Sequence, residues 1–271
     1  MRAFEWMTRR RFLAAAGVSL GGLIARPSWA EEEEKTPEGL LVRCRYDGDP
    51  PEPRILDCSE DPYCARQFRK DPLLDDSLLV DEDGALRNVF VVVREGLGEG
   101  RTWSVPDTPA AMDQDCRFIP RIVGVQVGQP LQFHNSAGTL EVPHGYPKRN
   151  PEFSFNMTED MTKQVTFEFP ETFHLECDVH PWELSFCHVV AHPFFVLTDA
   201  KGRAAITGLP AGAYEVEFWH ETLGVQRRTV KIDERGGVVR LDEIVFQPPR
   251  RRHRRGGPTA PPATRPTTGE G

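Results

Sequence analysis

Apolar and polar positions alternate along much of the middle of the chain, with the two-residue period of a β-strand. Residues 164–169 show this most clearly, since Val165, Phe167 and Phe169 fall on one face and polar residues on the other. The apolar, β-branched stretch 86–93 is a second candidate strand. No long segment has the 3.6-residue period of an amphipathic helix. The pattern predicts an all-β protein built as β-sandwiches.

Turn residues divide the strand pattern into two units. The first runs over residues 38–192, and the second covers residues 193–246, where Asp199-Ala200-Lys201-Gly202 marks a hairpin. The second unit has about fifty residues, fewer than a sandwich normally needs, so it either folds by itself or shares a core with the first. Residues 247–271 are rich in Arg, Pro, Thr and Gly, which predicts a disordered tail.

The N-terminus has the layout of a cleaved export signal. Arg9-Arg10 precedes a short apolar run, and Ser28-Trp29-Ala30 is a small-x-Ala cleavage site. The paired arginines resemble the signal of the twin-arginine (Tat) pathway. We therefore expect residues 1–30 to be removed and residues 31–37 to form an acidic linker. The mature protein should lie in the periplasm and have no transmembrane segment.

The net charge of −8 is unevenly distributed along the chain. Arginine is concentrated at both ends, and residues 31–246 by themselves carry a charge of about −17. An acidic body repels nucleic acid and anionic membrane surfaces, so neither is an expected partner. A cationic partner protein fits this charge better.

Six cysteines in an exported protein favour disulfides. Four of them lie in the first half of the chain, and four cysteines allow three pairings. We prefer Cys44–Cys58, across a hairpin at residues 47–51, together with Cys64–Cys116 as a long-range link.

A seven-residue segment between two predicted strands carries candidate metal chemistry: Cys177-Asp178-Val179-His180-Pro181-Trp182-Glu183. A blue-copper site needs a thiolate and two imidazoles, with a weak axial Met. The segment resembles the ligand loop of the cupredoxins, amicyanin in particular, in its Cys-x-x-His spacing and His-Pro-aromatic core. It is closer still to the exported methylamine utilisation proteins, in which a carboxypeptidase regulatory-like (transthyretin-like) segment follows. Here that segment begins His192-Pro193-Phe194-Phe195. The resemblance implies a cupredoxin-like β-sandwich over residues 38–192 and a small transthyretin-like β-sandwich unit over residues 193–246.

The resemblance also implies a copper site with an altered ligand set. Cys177 and His180 match two of the family's ligand positions. Glu141 stands where the family has its first His ligand, and Glu183 where it has the axial Met. A second family His is kept at His144, which makes it a further candidate ligand.

Three interpretations of this loop are open. In the first, a four-residue site binds one Cu(II) or Zn(II), and the protein holds metal or transfers electrons to a cationic redox partner. This four-residue site consists of Glu141, Cys177, His180 and Glu183. In the second, copper has been lost, and the protein is a noncatalytic binding protein of the cell envelope. In the third, Cys177 pairs with Cys187, although the hairpin places their Cα atoms roughly 10 Å apart, beyond the disulfide limit of about 7 Å.

An enzyme is not expected. A Cys and a His three positions apart on a tight loop meet a metal more easily than they transfer a proton to each other. The sequence contains no serine nucleophile elbow, phosphate-binding loop or zinc-protease motif.

Overall fold

The computed structural model describes residues 39–234 and 237–248, and strands dominate these ranges. The prediction of an all-β protein is therefore confirmed. Among the described residues, no helix is long and apolar enough to cross a membrane. The predicted signal peptide (1–30), the acidic linker (31–37) and all of the predicted tail beyond residue 248 lie outside the described ranges.

The described residues form seventeen strands and one short helix. In chain order they are β1 Gly39–Tyr46, α1 Pro62–Gln67, β2 Phe90–Glu95, β3 Ala110–Gln114, β4 Phe118–Ile119, β5 Ile122–Gln126, β6 Leu131–Asn135, β7 Pro143–Gly145, β8 Phe153–Ser154, β9 Thr162–Val165, β10 Glu171–Cys177, β11 Leu184–Val190, β12 Phe195–Leu197, β13 Arg203–Thr207, β14 Gly212–His220, β15 Gly224–Ile232, β16 Val238–Arg240 and β17 Ile244–Phe246.

The first sandwich packs the sheet β5-β11-β10-β7-β8 against the sheet β4-β3-β6-β9. Its core joins Met112 and Phe133 of one sheet to Leu175 and Val189 of the other. Strand alternation places these residues inside, because successive side chains of a strand point to opposite faces. β10 and β11 are central in their sheet and pair antiparallel up to Glu176, opposite Leu184, so the loop with the candidate ligands closes this hairpin.

The second sandwich contains strands from both ends of the described chain. One sheet has the order β13-β1-β16, with β17 also paired to β1, and the other has the order β12-β2-β14-β15. Residues 193–246 therefore share both sheets with β1 and β2, which precede the first sandwich in the chain. The predicted boundary after residue 192 does not separate the sheets. Within the C-terminal segment only β14 and β15 of the described strands pair with each other, and β1 and β2 join the other strands into the two sheets.

β2 also connects the two sandwiches. Val91 and Val93 enter the core of the second sandwich, whereas Phe90 and Val92 contact Ile122 and Val190 of the first. A strand buried on both faces reads as a continuous apolar run, which explains why residues 86–93 do not alternate.

An ion pair adds to this junction. The guanidinium of Arg121 lies 2.7 Å from Asp76 Oδ1 through Nη1 and 2.7 Å from Glu221 Oε2 through Nη2. Glu221 directly follows β14 of the second sandwich, and Arg121 directly precedes β5 of the first sandwich, so this ion pair joins the two sandwiches.

The cysteines confirm one predicted disulfide and contradict the other. Cys64 and Cys116 are bonded, with Cα atoms 5.8 Å apart, and join α1 to the turn after β3. The Cys44–Cys58 prediction is wrong, since both thiols are free. Cys44 lies on β1, whose neighbours are β13, β16 and β17, so the chain does not fold back after residue 46 as a hairpin. Cys58 instead packs against the Cys64–Cys116 disulfide.

Candidate metal centre

The four-residue site is assembled from two neighbouring segments of the first sandwich. Cys177 ends β10, His180 lies in the loop, and Glu183 directly precedes β11. Glu141 comes from the segment before β7, where its backbone forms an isolated bridge with Met157. One ligand atom from each of the four residues lies within 4.8 Å of the others. The structure thus brings together the four side chains named from the sequence.

Burial of this cluster is nearly complete. Glu141 is 0% exposed, Glu183 and His180 are 2% exposed, and Cys177 is 4% exposed. Two carboxyl groups inside a β-sandwich are costly unless hydrogen bonds or a cation compensate their charge. The hydrogen bonds around them therefore decide what the cluster can do.

Backbone hydrogen bonds hold the loop in place. The N–H of Asp178 donates to the carbonyl of Val142 at 3.0 Å, and the N–H of Glu183 donates to the carbonyl of His180 at 3.0 Å. The N–H of Val142 donates to Cys177 Sγ at 3.3 Å, which is the kind of contact that stabilises a thiolate. The segments carrying Glu141 and Cys177 are therefore fixed to each other by main-chain contacts.

His180 directs its Nδ1 atom into the cluster. This atom lies 2.9 Å from Glu141 Oε2, 2.9 Å from Glu183 Oε1 and 3.8 Å from Cys177 Sγ. A ring nitrogen carries at most one hydrogen, so the two carboxylates compete for the same donor. The same nitrogen, when deprotonated, is the atom that would face a bound cation.

The ionisation of the cluster follows from burial and mutual charge. Burial raises the pKa of Glu183 to about 7, and the charge of Glu141 adds to this rise. Burial by itself would lower the pKa of His180, but its hydrogen bonds to Cys177, Glu141 and Glu183 outweigh burial and raise that pKa to about 12. Burial also raises the pKa of the Cys177 thiol. In the absence of another cation, the imidazolium is the positive charge that the carboxylates share.

Two further side chains hold the cluster, and the sequence did not single them out. Gln114, at the end of β3, donates from Nε2 to Glu183 Oε2 at 3.0 Å and to Glu141 Oε2 at 3.4 Å. Asp61 places Oδ2 at 3.5 Å from His180 Nε2 and accepts a hydrogen bond there from Thr139 Oγ1 at 2.8 Å. Asp61 could have been noticed as the N-cap before Pro62, a typical helix start. Gln114 gives no such signal, because one amide at the end of a short strand is common.

A cap covers the imidazole from outside. The cap consists of residues 58–68, which include α1 and are tied to Cys116 by the disulfide. Trp182 lies on the same side, with its ring 4.8 Å from that of His180 and its Nε1 donating to the carbonyl of Cys116 at 3.0 Å. The cap, Trp182 and the loop together remove His180 from solvent.

The remaining predicted ligand, His144, lies outside the cluster. Its Nδ1 is 2.9 Å from Asp178 Oδ1, and its Nε2 is 2.9 Å from Glu152 Oε1. Both ring nitrogens are thus engaged elsewhere, and the structure does not support His144 as an extra ligand. The reason is strand register: His144 pairs with Glu176 on the outer face of the sheet, next to but not within the site.

The donor set fits a divalent ion. Carboxylate oxygen, imidazole nitrogen and thiolate are ligands of both Cu(II) and Zn(II). Glu141 Oε2 lies 2.9 Å from His180 Nδ1 and 3.3 Å from Cys177 Sγ, and Glu141 Oε1 is buried with no hydrogen-bond partner among the described residues, so this carboxylate has acceptor capacity left for a cation. A second group, Asp61, Cys64 and His180, also clusters. It fits a metal poorly, because Cys64 is held in the disulfide and offers no thiolate.

No protein-family model and no curated protein matches this chain. Among solved structures, it is similar to a Cu-containing nitrite reductase (NirK) from Thermus scotoductus SA-01, at 17% identity and a TM-score of 0.29 over 35% of this chain and 25% of that one. It is also similar to a purple cupredoxin from Nitrosopumilus maritimus, at 14% identity and a TM-score of 0.27 over 30% of this chain and 98% of that one. A mutant of amicyanin in its Cu(I) form matches at 15% identity and a TM-score of 0.28 over 35% of this chain and 99% of that one. The match thus spans about a quarter of the nitrite reductase, and with TM-scores this low the assignment of the site depends on its own geometry.

Proposed function

We propose that this protein holds one Cu(II) or Zn(II) ion through Glu141, Cys177, His180 and Glu183. The observation that carries the proposal is the convergence of four buried ligand atoms within 4.8 Å of one another. Such a group is rare in a protein interior without a purpose, because each carboxylate must be desolvated. A divalent cation would replace the protons of His180 and Cys177 and offset most of the negative charge of the cluster.

The ligands favour metal holding over rapid electron transfer. With three anionic ligands, a divalent ion leaves the site with a net charge of −1, whereas a His-His-Cys-Met site carries +1. Anionic oxygen ligands favour Cu(II) over Cu(I), so bound copper would supply a one-electron couple of low potential. The cap also covers His180, so that no ligand ring reaches the surface.

Metal analysis tests the proposal directly. The full chain, produced with its own signal, should contain about one copper or zinc ion per molecule at neutral pH. Cys177→Ser and His180→Ala should abolish binding. His174→Ala is the matched control, because His174 lies on the same strand as Cys177 but its side chain is 43% exposed and points away from the cluster. Wild-type protein that takes up neither metal would refute the proposal.

A metal-free protein is the second candidate, and one observation favours it. His180 Nδ1 lies within hydrogen-bond distance of both carboxylates and Cys177 Sγ within that of Glu141, so shared protons can also hold the cluster together. In that case the loop serves packing, and the protein would act as a noncatalytic binding protein of the cell envelope. The same metal analysis separates the two candidates.

Location, partner and family complete the proposal. The Arg9-Arg10 pair supports export by the Tat pathway to the periplasm. The acidic body supports a cationic partner protein rather than nucleic acid, and that partner would be a redox protein only if the bound metal transfers electrons. The loop and the His192-Pro193-Phe194-Phe195 segment support a relationship to the methylamine utilisation proteins, with residues 193–246 regulatory-like. We propose binding rather than catalysis, because His180 is engaged by two carboxylates and shielded from solvent.

A further inference from the structure

Gln114 is the one neutral side chain that contacts both carboxylates of the four-residue site among the described residues. It is 0% exposed, and its Nε2 lies 3.0 Å from Glu183 Oε2 and 3.4 Å from Glu141 Oε2. Hydrogen bonds also fix the backbone of Gln114, because its carbonyl accepts from the N–H of Ser136 at 2.9 Å and from the N–H of Ala137 at 3.2 Å. Both the backbone and the side-chain amide of Gln114 are therefore held in place next to the two carboxylates.

When both carboxylates are ionised, as they would be around a cation, the amide of Gln114 can face the site in one orientation only. With Nε2 inward, its two hydrogens serve the two carboxylates. With Oε1 inward, three acceptors would meet without a hydrogen between them. The inward Nε2 leaves Gln114 Oε1 buried and without a hydrogen-bond partner among the described residues. That unpaired oxygen carries a free-energy cost, which indicates that the contacts made by Nε2 matter.

Metal binding would change the donors around the carboxylates. When both are protonated, His180 Nδ1 and Cys177 Sγ donate hydrogens to Glu141 Oε2. Both atoms must lose that hydrogen to bind an ion. Gln114 is then the donor that the described residues still provide to both carboxylates. Without Gln114, only the ion would then hold these two like charges together.

We propose that Gln114 is the positioning residue that holds Glu141 and Glu183 in ligand geometry. This inference rests on the proposed metal site and deepens it. By hydrogen-bonding Oε2 of each carboxylate, Gln114 fixes the direction of both groups and leaves Glu183 Oε1, which lies 2.9 Å from His180 Nδ1, free to face the ion. A hydrogen bond of this kind outside the ligands orients them and tunes the metal.

The test compares Gln114→Leu with Gln114→Glu in the full chain. Leu keeps most of the volume and removes the donor, whereas Glu keeps the shape and replaces the donor by an acceptor. Both variants should bind Zn(II) about 10–100-fold more weakly in chelator competition, the usual cost of losing such a contact. Both should also change the Cu(II) electron paramagnetic resonance spectrum, which a loss of stability alone would leave unaltered.

Gln126→Leu is the matched control. Gln126 is 2% exposed, lies on β5 of the same sandwich and also has an unpaired Oε1, but it contacts none of the four ligands. It should bind Zn(II) as the wild type does and keep the wild-type Cu(II) spectrum. If Gln126→Leu and Gln114→Leu weakened Zn(II) binding and changed the Cu(II) spectrum equally, the inference would be overturned. The loss of any buried amide would then produce the effect, with no specific role for Gln114.

The outcomes separate the inference from the proposed function. If the wild type binds metal and Gln114→Leu binds it equally with an unchanged spectrum, the positioning role is overturned and the metal site stands. If no form binds metal, the proposed function fails and this inference fails with it. Should Gln114→Leu not fold, Gln114→Glu gives the same readouts, and nuclear magnetic resonance of the metal-free wild type should show slowly exchanging Gln114 side-chain amide hydrogens. Fast exchange there would also overturn the role.

Discussion

Removing the Cys64–Cys116 disulfide should destabilise the protein and uncover the candidate metal centre at the same time. The perturbation is the double variant Cys64→Ala with Cys116→Ala. The bond closes a loop of 52 residues between the cap and the first sandwich. In the chain-entropy account, opening such a loop costs about 4 kcal/mol at 25 °C, because the unfolded chain regains conformations that the bond had removed.

This loss of unfolding free energy corresponds to a lower melting temperature. For a chain of this size, 1 kcal/mol lowers the melting temperature by about 2–4 °C, so the double variant should melt about 8–16 °C below the wild type. Thermal unfolding followed by circular dichroism measures this. Reduction of the wild type with a dithiol should produce a comparable fall.

Cys58→Ala is the matched control. Cys58 is buried against the same disulfide but forms no bond, so its replacement removes sulfur packing without opening a loop. It should cost about 1 kcal/mol, the central value for single substitutions. A double variant that loses no more than this control would refute the reasoning.

The second readout concerns access to His180. The cap is fastened by the disulfide and by the Asp61 contacts, and it lies over the ring that is 2% exposed. In the double variant a chelator should therefore extract bound zinc faster than from the wild type, while Cys58→Ala should keep the wild-type rate. An unchanged extraction rate would show that the cap does not control access.

Three further predictions concern the metal, acid stability and export. Replacing Glu141 by His together with Glu183 by Met should convert a non-blue copper site of low reduction potential into an intensely blue site of higher reduction potential. Absorption spectroscopy and voltammetry measure these two changes. A colourless double variant would contradict the ligand assignment. Burial lowers the pKa of His188 in the folded protein to about 3, and the charge of Arg94 lowers it further. Below the unfolded value of about 6.5, the unfolded chain therefore binds a proton at His188 that the folded protein does not bind. The free energy of unfolding should decrease by up to about 1.4 kcal/mol per pH unit as the pH falls towards 3. His188→Phe should flatten that decrease in urea unfolding between pH 7 and pH 4, and an unchanged slope would contradict it. Replacing Arg9 and Arg10 by Lys should leave the precursor in the cytoplasm, seen by cell fractionation, and normal delivery would refute the Tat signal.

Local pattern predicted part of the strands and the loop. The alternation over residues 164–169 placed Phe167 inside, where it is buried in the first core, whereas Phe169 of the same pattern is 42% exposed because β9 ends at Val165. The Cys-x-x-His spacing of Cys177 and His180 predicted neighbouring ligand atoms, since the hairpin that carries them is closed by its own short loop. These features depend on residues close in sequence, where chain geometry leaves few alternatives.

The placement of Glu141 and Glu183 in one site came from the family resemblance. Glu183 adjoins the loop, whereas Glu141 reaches it from another segment of the chain. The structure brings both to His180 Nδ1 at 2.9 Å.

Only the tertiary structure decided the long-range partners. β1 pairs with β13, β16 and β17, well over a hundred residues later, and Cys44 on β1 is free rather than bonded to Cys58. The tertiary structure also brought Gln114 to the two carboxylates and turned His144 outward. Strand pairing and register between distant segments are determined by which faces can be buried together, a property of the whole fold. A strand's own residues show that it has a buried face but do not identify the strand that will cover it.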